Sequence, residues 1–230
     1  MSSYLHELIH FVMGFTIVYF INVFVIKARH FYYCIYGGII AVLPDIEKLI
    51  DSIFLHSMLV IPFASILLNI FISQLYKHNK YNFLTTYMIS IMCLLSHILF
   101  DFLENGVALL YPLTKKEYEY AIFNQVDYIL LVIFTLIIIF SFFSTVSSTV
   151  FKILSTCLLC YVIVLCISKQ YLHMQLYQKY NSQHITLLET YPSSSETFCW
   201  NYQIRTLKTW YDGHSLLFGK LQEDSQFNNK

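Results

Sequence analysis

Charge is scarce in this chain. Lys, Arg, Asp and Glu make up 12% of its 230 residues, about half the share of a soluble domain. Its 14 basic and 14 acidic residues cancel, so no basic surface marks a nucleic-acid binder. Cysteine offers no disulfide framework. Cys34, Cys93, Cys157, Cys160 and Cys166 lie in apolar runs, where a thiol behaves as a small hydrophobe. Cys199 stands without an obvious partner in the polar tail. Cys157 and Cys160 have CxxC spacing, but no second pair accompanies them. Internal repeats and long low-complexity tracts are absent. So is the basic stretch of a secretory leader, since His6 and Glu7 precede the first apolar run.

What is there is apolar sequence in long runs. Hydrophobic residues make up 57% of the chain and aromatic residues 18%. The expected class is an integral membrane protein. Its fold class is all-α, a polytopic bundle of about six spans. Spans are expected at about residues 8–26, 31–43, 53–73, 82–103, 128–143 and 151–168. The second covers only ~20 Å, against ~30 Å of hydrocarbon. Gly37-Gly38 is expected to interrupt it and Pro44 to end it, as a short tilted span or a re-entrant helix. Residues 1–170 then form a transmembrane helical domain, and 171–230 a polar appendage. Alternation over residues 201–207 predicts a strand, and Tyr211-Asp212-Gly213-His214 a hairpin turn.

Charge separates the connections into two sets. Lys27, Arg29, Lys77, Lys80 and Lys152 occupy connections free of acid. Asp45, Glu47, Asp51, Glu104, Glu117 and Glu119 occupy the others. The positive-inside bias makes the first set cytoplasmic and turns the N-terminus, the acidic loops and the tail outward. The tail, with Trp200, Trp210, Tyr211 and His214, is expected to cover the outward pocket or to anchor at headgroups.

Five ionisable residues meet that acidic side: His10, Asp45, His56, His97 and Asp101. A charged side chain within a span costs roughly 2.5–3.5 kcal/mol at the helix centre. His97 and Asp101 are four apart and share a helix face. That spacing suits two ligands of one metal, or an Asp that orients a His. Imidazole with carboxylate suits a divalent ion, zinc first, with manganese or iron as alternatives. His6, His30, His78, His173 and His184 read as ordinary loop or interface residues, and Glu104 as solvated.

Ser96-His97-Ile98-Leu99-Phe100-Asp101, continuing to Gly106 and Leu110-Tyr111-Pro112, resembles the SHxxxD…G…P signature of the YdjM/YbcI-type membrane-bound, metal-dependent hydrolases. So do His10 to Gly14 (HxxxG), Gly38 through Pro44-Asp45-Ile46-Glu47, and His56-Ser57. Trp200 and Tyr211 to Leu217 look like the tail of the YfhP-type branch. The family is described as related at a distance to the all-helical zinc-dependent phospholipase C and nuclease group. The resemblance implies an inner-membrane location and His10, Asp45, His56, His97 and Asp101 as metal ligands. It implies Asp45 or Asp101 as a catalytic base, and membrane lipid or a lipid-like or small-molecule ester as partner and substrate. Asp127 matches a recurrent family Asp. The family's His-Arg pair and Thr before His-Ser are replaced by Asp51, Ser52 and Leu55, and Glu47 replaces a second Asp. A phosphate-holding Arg is therefore absent. The rival expectation is a non-catalytic membrane protein, either a metal or proton carrier or a bundle stabilised by its polar cluster.

Overall fold

An apolar run in lipid must satisfy its own backbone hydrogen bonds, which an α-helix does within one segment. The computed structural model describes residues 2–26, 31–48, 52–75, 83–124, 126–142, 148–194, 196 and 198–228. Within them lie six α-helices and a small sheet. α1 is Ser2–Phe20 and runs on as a π-helix, Ile21–Ile26. α2 is Phe31–Lys48, α3 Ile61–Leu75, α4 Phe83–Glu104, α5 Tyr128–Phe142 and α6 Ser148–Tyr180. Among the described residues, three stretches are long and apolar enough to cross a membrane: Tyr4–Phe24, Phe83–Glu104 and Thr149–Gln183. Asp51 and the basic residues Lys27, Arg29, Lys77 and Lys80 lie outside the described residues, as do residues 144–147 of the Ser/Thr turn.

The chain divides into two units. The first comprises Met1–Tyr120 and Gln125–Leu154, the second Ala121–Asn124 and Ser155–Lys230. In the first, α1 packs against α2, α4 and α5, while α4 also meets α2 and α3. Its core holds Phe15, Val18, Ile40, Ala41, Ile89, Cys93 and Leu94. Polar side chains link the helices, a device suited to lipid, where apolar contact alone gives little drive. Tyr36 Oη and Ser90 Oγ are 3.0 Å apart across α2 and α4. Asn69 of α3 donates to the Phe83 carbonyl at 2.7 Å and accepts from Thr86 Oγ1.

Two local expectations are corrected in this unit. Neither Gly37-Gly38 nor Pro44 stops α2, which continues to Lys48. The glycines are buried where α1 crosses. A Cβ on Gly37 would come within 2.8 Å of the Gly14 carbonyl oxygen, and one on Gly38 within 2.7 Å of the Phe11 ring. They permit close approach instead of breaking the helix. The third span does not begin at residue 53. Phe54–His56 form a 3-10 turn, and α3 starts at Ile61. Pro62 explains the boundary, because proline fits the first turn of a helix but not its interior.

In the second unit, α6 carries Leu165, Lys169, Leu172, Leu176 and Tyr180 buried along one stripe. The helix therefore persists well past the polar switch at Lys169. The strands β1 Ile185–Pro192, β2 Cys199–Thr206, β3 Thr209–Leu216 and β4 Gln222–Asn228 form an antiparallel meander in chain order. Trp200, Tyr202, Ile204 and Thr206 are buried at alternate positions of β2, the period-2 pattern of a strand. The hairpin turn expected at residues 211–214 is not there. Those residues lie inside β3, and the chain turns at Leu207-Lys208. Asp212-Gly213 instead lies opposite a register shift at Asp224 of β4, and a Cβ on Gly213 would clash with the Gln222 carbonyl oxygen, the close backbone approach that a strand glycine permits. His214 faces β4, with Nδ1 2.9 Å from Asp224 Oδ2. That carboxylate raises the imidazole's pKa.

Candidate metal centre

The first unit brings all five predicted site residues into one buried cluster. His10 sits on α1 and Asp45 near the end of α2. His97 and Asp101 lie on the last two turns of α4. His56 is not helical; it occupies the 3-10 turn before α3. Side-chain exposure is 0% for His10 and His97, 1% for Asp101, 5% for His56 and 7% for Asp45.

Local chemistry fixes each of these side chains. His97 Nδ1 lies 2.8 Å from the Ala41 carbonyl. Donation there leaves its Nε2 lone pair aimed into the cluster, the tautomer a metal ligand needs. The His56 turn hangs on Glu47. Its Oε1 accepts from the Phe54 amide at 2.9 Å and from Ser52 Oγ, and its Oε2 accepts from the Leu55 amide at 2.6 Å. Glu47 and Ser52, two departures from the family pattern, thus hold one another. Ser57 Oγ donates to the Tyr111 carbonyl, and the Met58 amide to Leu109 at 3.1 Å. Gly106, at φ +92°, closes α4, and its amide donates to the Asp101 carbonyl at 2.9 Å. Ser57 and Gly106 therefore belong to the frame, and the His and Asp positions fill it.

The contents fit a cation. His97 Nε2 is 3.3 Å from His56 Nε2 and 3.4 Å from Asp101 Oδ2, and His56 Nε2 is 3.5 Å from that same oxygen. Asp45 Oδ1 stands 3.8 Å from His97 Nε2 and 3.9 Å from His56 Nε2. Four ligands bound tetrahedrally at about 2.0–2.1 Å lie about 3.3–3.4 Å from one another. Both Asp101 oxygens, Asp45 Oδ2, and Nδ1 of His10 and His56 are buried without a hydrogen-bond partner. Such orphaned atoms are costly unless something binds them.

Three further residues belong to the cluster. His6, read from sequence as an interface residue, is buried, with Nε2 3.1 Å from His10 Nε2. Glu104, expected to be solvated, is buried too, with Oε2 3.1 Å from His6 Nδ1. Lys48 reaches in from the rim, 2.8 Å from Asp45 Oδ1 and 3.6 Å from Asp101 Oδ2. Each lies one helical turn from a residue already singled out, and that spacing was the available signal. His6, His10 and Asp101 form a second group placed to hold a metal, beside Asp45, His56, His97 and Asp101. Asp127 is elsewhere in the fold: its Oδ1 accepts from the amides of Ile129 and Leu130 at 3.0 Å, capping α5.

A carboxylate behind a ligating imidazole orients the ring and raises its basicity. Glu104→Gln is expected to weaken metal affinity about 10–100-fold, with helix content unchanged. Metal titration followed by calorimetry measures this, and an unaltered affinity would remove Glu104 from the centre.

Comparison with curated proteins gives no match, and neither does comparison with solved structures. Comparison with known families matches residues 6–172 to the family described as YdjM inner membrane protein. The matched stretch opens on His6 and contains every residue of the cluster. The chain belongs to the YdjM inner membrane protein family.

Proposed function

We propose that this chain is a membrane-embedded, metal-dependent hydrolase. Its substrate is a phosphoester, or another ester, of a lipid-like or small molecule. The observation that carries the reading is the buried group of His56, His97, Asp45 and Asp101, spaced for one cation and edged by a half-exposed lysine. Zinc is the first choice for this donor set, with manganese or iron as alternatives. A divalent ion there supplies Lewis acidity and brings the pKa of a bound water near ~7.

The protein's own groups account for the rest. The Ala41 carbonyl and the Glu47-bound turn hold His97 and His56 in place. Asp45 is the more open of the two carboxylates, 7% against 1% for Asp101, so it is the better placed to accept a proton from water. Lys48 Nζ and a cation compete for the same Asp45 Oδ1. With a cation held by Asp45, His56, His97 and Asp101, the Lys48 ammonium would be free to meet an anionic substrate oxygen, the task left open by the missing Arg. A carrier would place its ionisable groups near the midplane with access from both sides. Here they occupy the first turns of α1 and the last turns of α2 and α4, which favours an enzyme site at one end of the bundle.

Purified protein in lipid nanodiscs, stripped and reloaded with zinc, is expected to hydrolyse a phosphatidate-type monoester and to lose that turnover with chelator. Lys48→Ala should raise KM for the anionic substrate roughly tenfold, the value of one charge-assisted hydrogen bond. It should leave KM for an uncharged carboxylic ester nearly unchanged. Turnover indifferent to chelation would sink the reading.

A further inference from the structure

The two metal-binding groups share one residue, Asp101, and meet its two different oxygens. Asp45 Oδ1 and Asp101 Oδ2 face His56 and His97. Asp45 Oδ2 and Asp101 Oδ1 face His6 and His10. On the second side, His10 Nε2 is 3.2 Å from Asp101 Oδ1 and 3.8 Å from Asp45 Oδ2. His6 Nε2 is 3.8 Å from Asp101 Oδ1 and 3.7 Å from Asp45 Oδ2. The two imidazole nitrogens are 3.1 Å apart. These spacings match those of the first group. Seven atoms thus divide into a set of four, one each from Asp45, His56, His97 and Asp101, and a set of three, one each from His6, His10 and Asp101. No atom serves both sets.

We infer that the cluster is a dinuclear centre, with one divalent cation held by Asp45, His56 and His97, a second by His6 and His10, and Asp101 bridging the pair. This inference rests on the hydrolase reading's metal site and adds a second ion to it. Three observations support it. An ion in the first set alone leaves Asp101 Oδ1 buried without a hydrogen-bond partner. Each side has an oxygen beside a ring Nδ1, the Ala41 carbonyl 2.8 Å from His97 and Glu104 Oε2 3.1 Å from His6. The sides are adjacent, since the His10 and His97 rings lie 3.9 Å apart.

Charge points the same way. With neutral imidazoles, the three carboxylates of Asp45, Asp101 and Glu104 against Lys48 leave the cluster at −2. One divalent ion only cancels that charge. Two leave +2, which gives a buried site a reason to draw in an anion. Paired ions about 3.5–4 Å apart are suited to clamping the attacking and leaving oxygens of a displacement at phosphorus. The substrate class of the centre is therefore a phosphoester in preference to a carboxylic ester.

The test uses the full-length protein in detergent. After loading with Mn(II) and gel filtration, elemental analysis is expected to give two ions per chain. The paramagnetic resonance spectrum should show an exchange-coupled pair. His6→Ala/His10→Ala and His56→Ala/His97→Ala should each retain one ion with an uncoupled six-line signal. One ion per chain in the unaltered protein, with chelator-sensitive turnover intact, overturns the dinuclear centre and leaves the hydrolase reading standing. Two ions with an uncoupled spectrum also overturn the bridging. No bound ion overturns both.

Discussion

Asp101→Asn is expected to abolish metal-dependent stabilisation and to lower hydrolysis by more than ~100-fold. Asp101 is the residue on which the cluster converges: its two oxygens lie 3.2–3.8 Å from four imidazole nitrogens. Asn keeps the shape and removes the charge, so packing on α4 is little altered. Removing a ligand should exceed the ~10–100-fold cost of losing a group that merely orients one. Stability offers a readout separate from turnover. An ion that binds only the folded chain, at 100 times its Kd, adds about 2.7 kcal/mol. The unaltered protein should show that gain on titration with metal, and Asp101→Asn should show none. Equal metal-induced gains in both proteins would mean that Asp101 holds no ion.

Gly14→Val is expected to empty the centre although it touches none of the ligands. Gly14 lies where α1 crosses α2. A Cβ there would lie 2.6 Å from Ala41 Cβ and closer still to the Gly37 carbonyl oxygen. Neither neighbour is a flexible side chain, so the helices themselves must separate. Overpacking of this kind costs about 1–3 kcal/mol. The larger effect falls on geometry. His10 is one turn before Gly14, and Asp45 is one turn after Ala41, so the crossing sets the 3.8 Å between His10 and Asp45. Ala41 also carries the carbonyl that orients His97. Bound metal per chain is expected to fall at least tenfold at fixed free metal, with a lower thermal midpoint. Full metal content in Gly14→Val would show that the centre tolerates a wider crossing.

The same crossing shows what the sequence could and could not tell. His10, Asp45, His56, His97 and Asp101 stood out because polar groups in apolar surroundings are rare and costly. His6, Lys48 and Glu104 did not, because each lies at an end of an apolar run, where a polar residue is ordinary. Their one signal was spacing: His6 is four before His10, Lys48 three after Asp45, and Glu104 three after Asp101. The six helical segments followed from hydropathy, but their ends did not. Gly37-Gly38 and Pro44 read as breaks because local propensity was all there was to weigh. A buried contact with α1 makes the glycines an asset. In the sheet, Asp212-Gly213 had the composition of a turn, and only pairing with β2 and β4 shows it to lie inside a strand. α6 outlasted its apolar run because Leu172, Leu176 and Tyr180 repeat every four residues, a weaker signal than the polar residues between them.

The two units share the chain unevenly. Ala121–Asn124 belongs with Ser155–Lys230, yet Gln125–Leu154 returns to the first unit. Lys169 donates to the Ala121 carbonyl at 2.9 Å, and Asn124 to the Ser193 carbonyl at 2.8 Å. On the ribosome, residues 121–124 emerge long before these partners. They must wait through the synthesis of α5 and most of α6 before they can dock. No single proteolytic cut releases either unit whole, and no stop codon before Ser193 leaves both of these bonds made. Nested C-terminal truncations fused to a reporter, a common way to map which loops face which side, would therefore report on chains whose second unit was never completed.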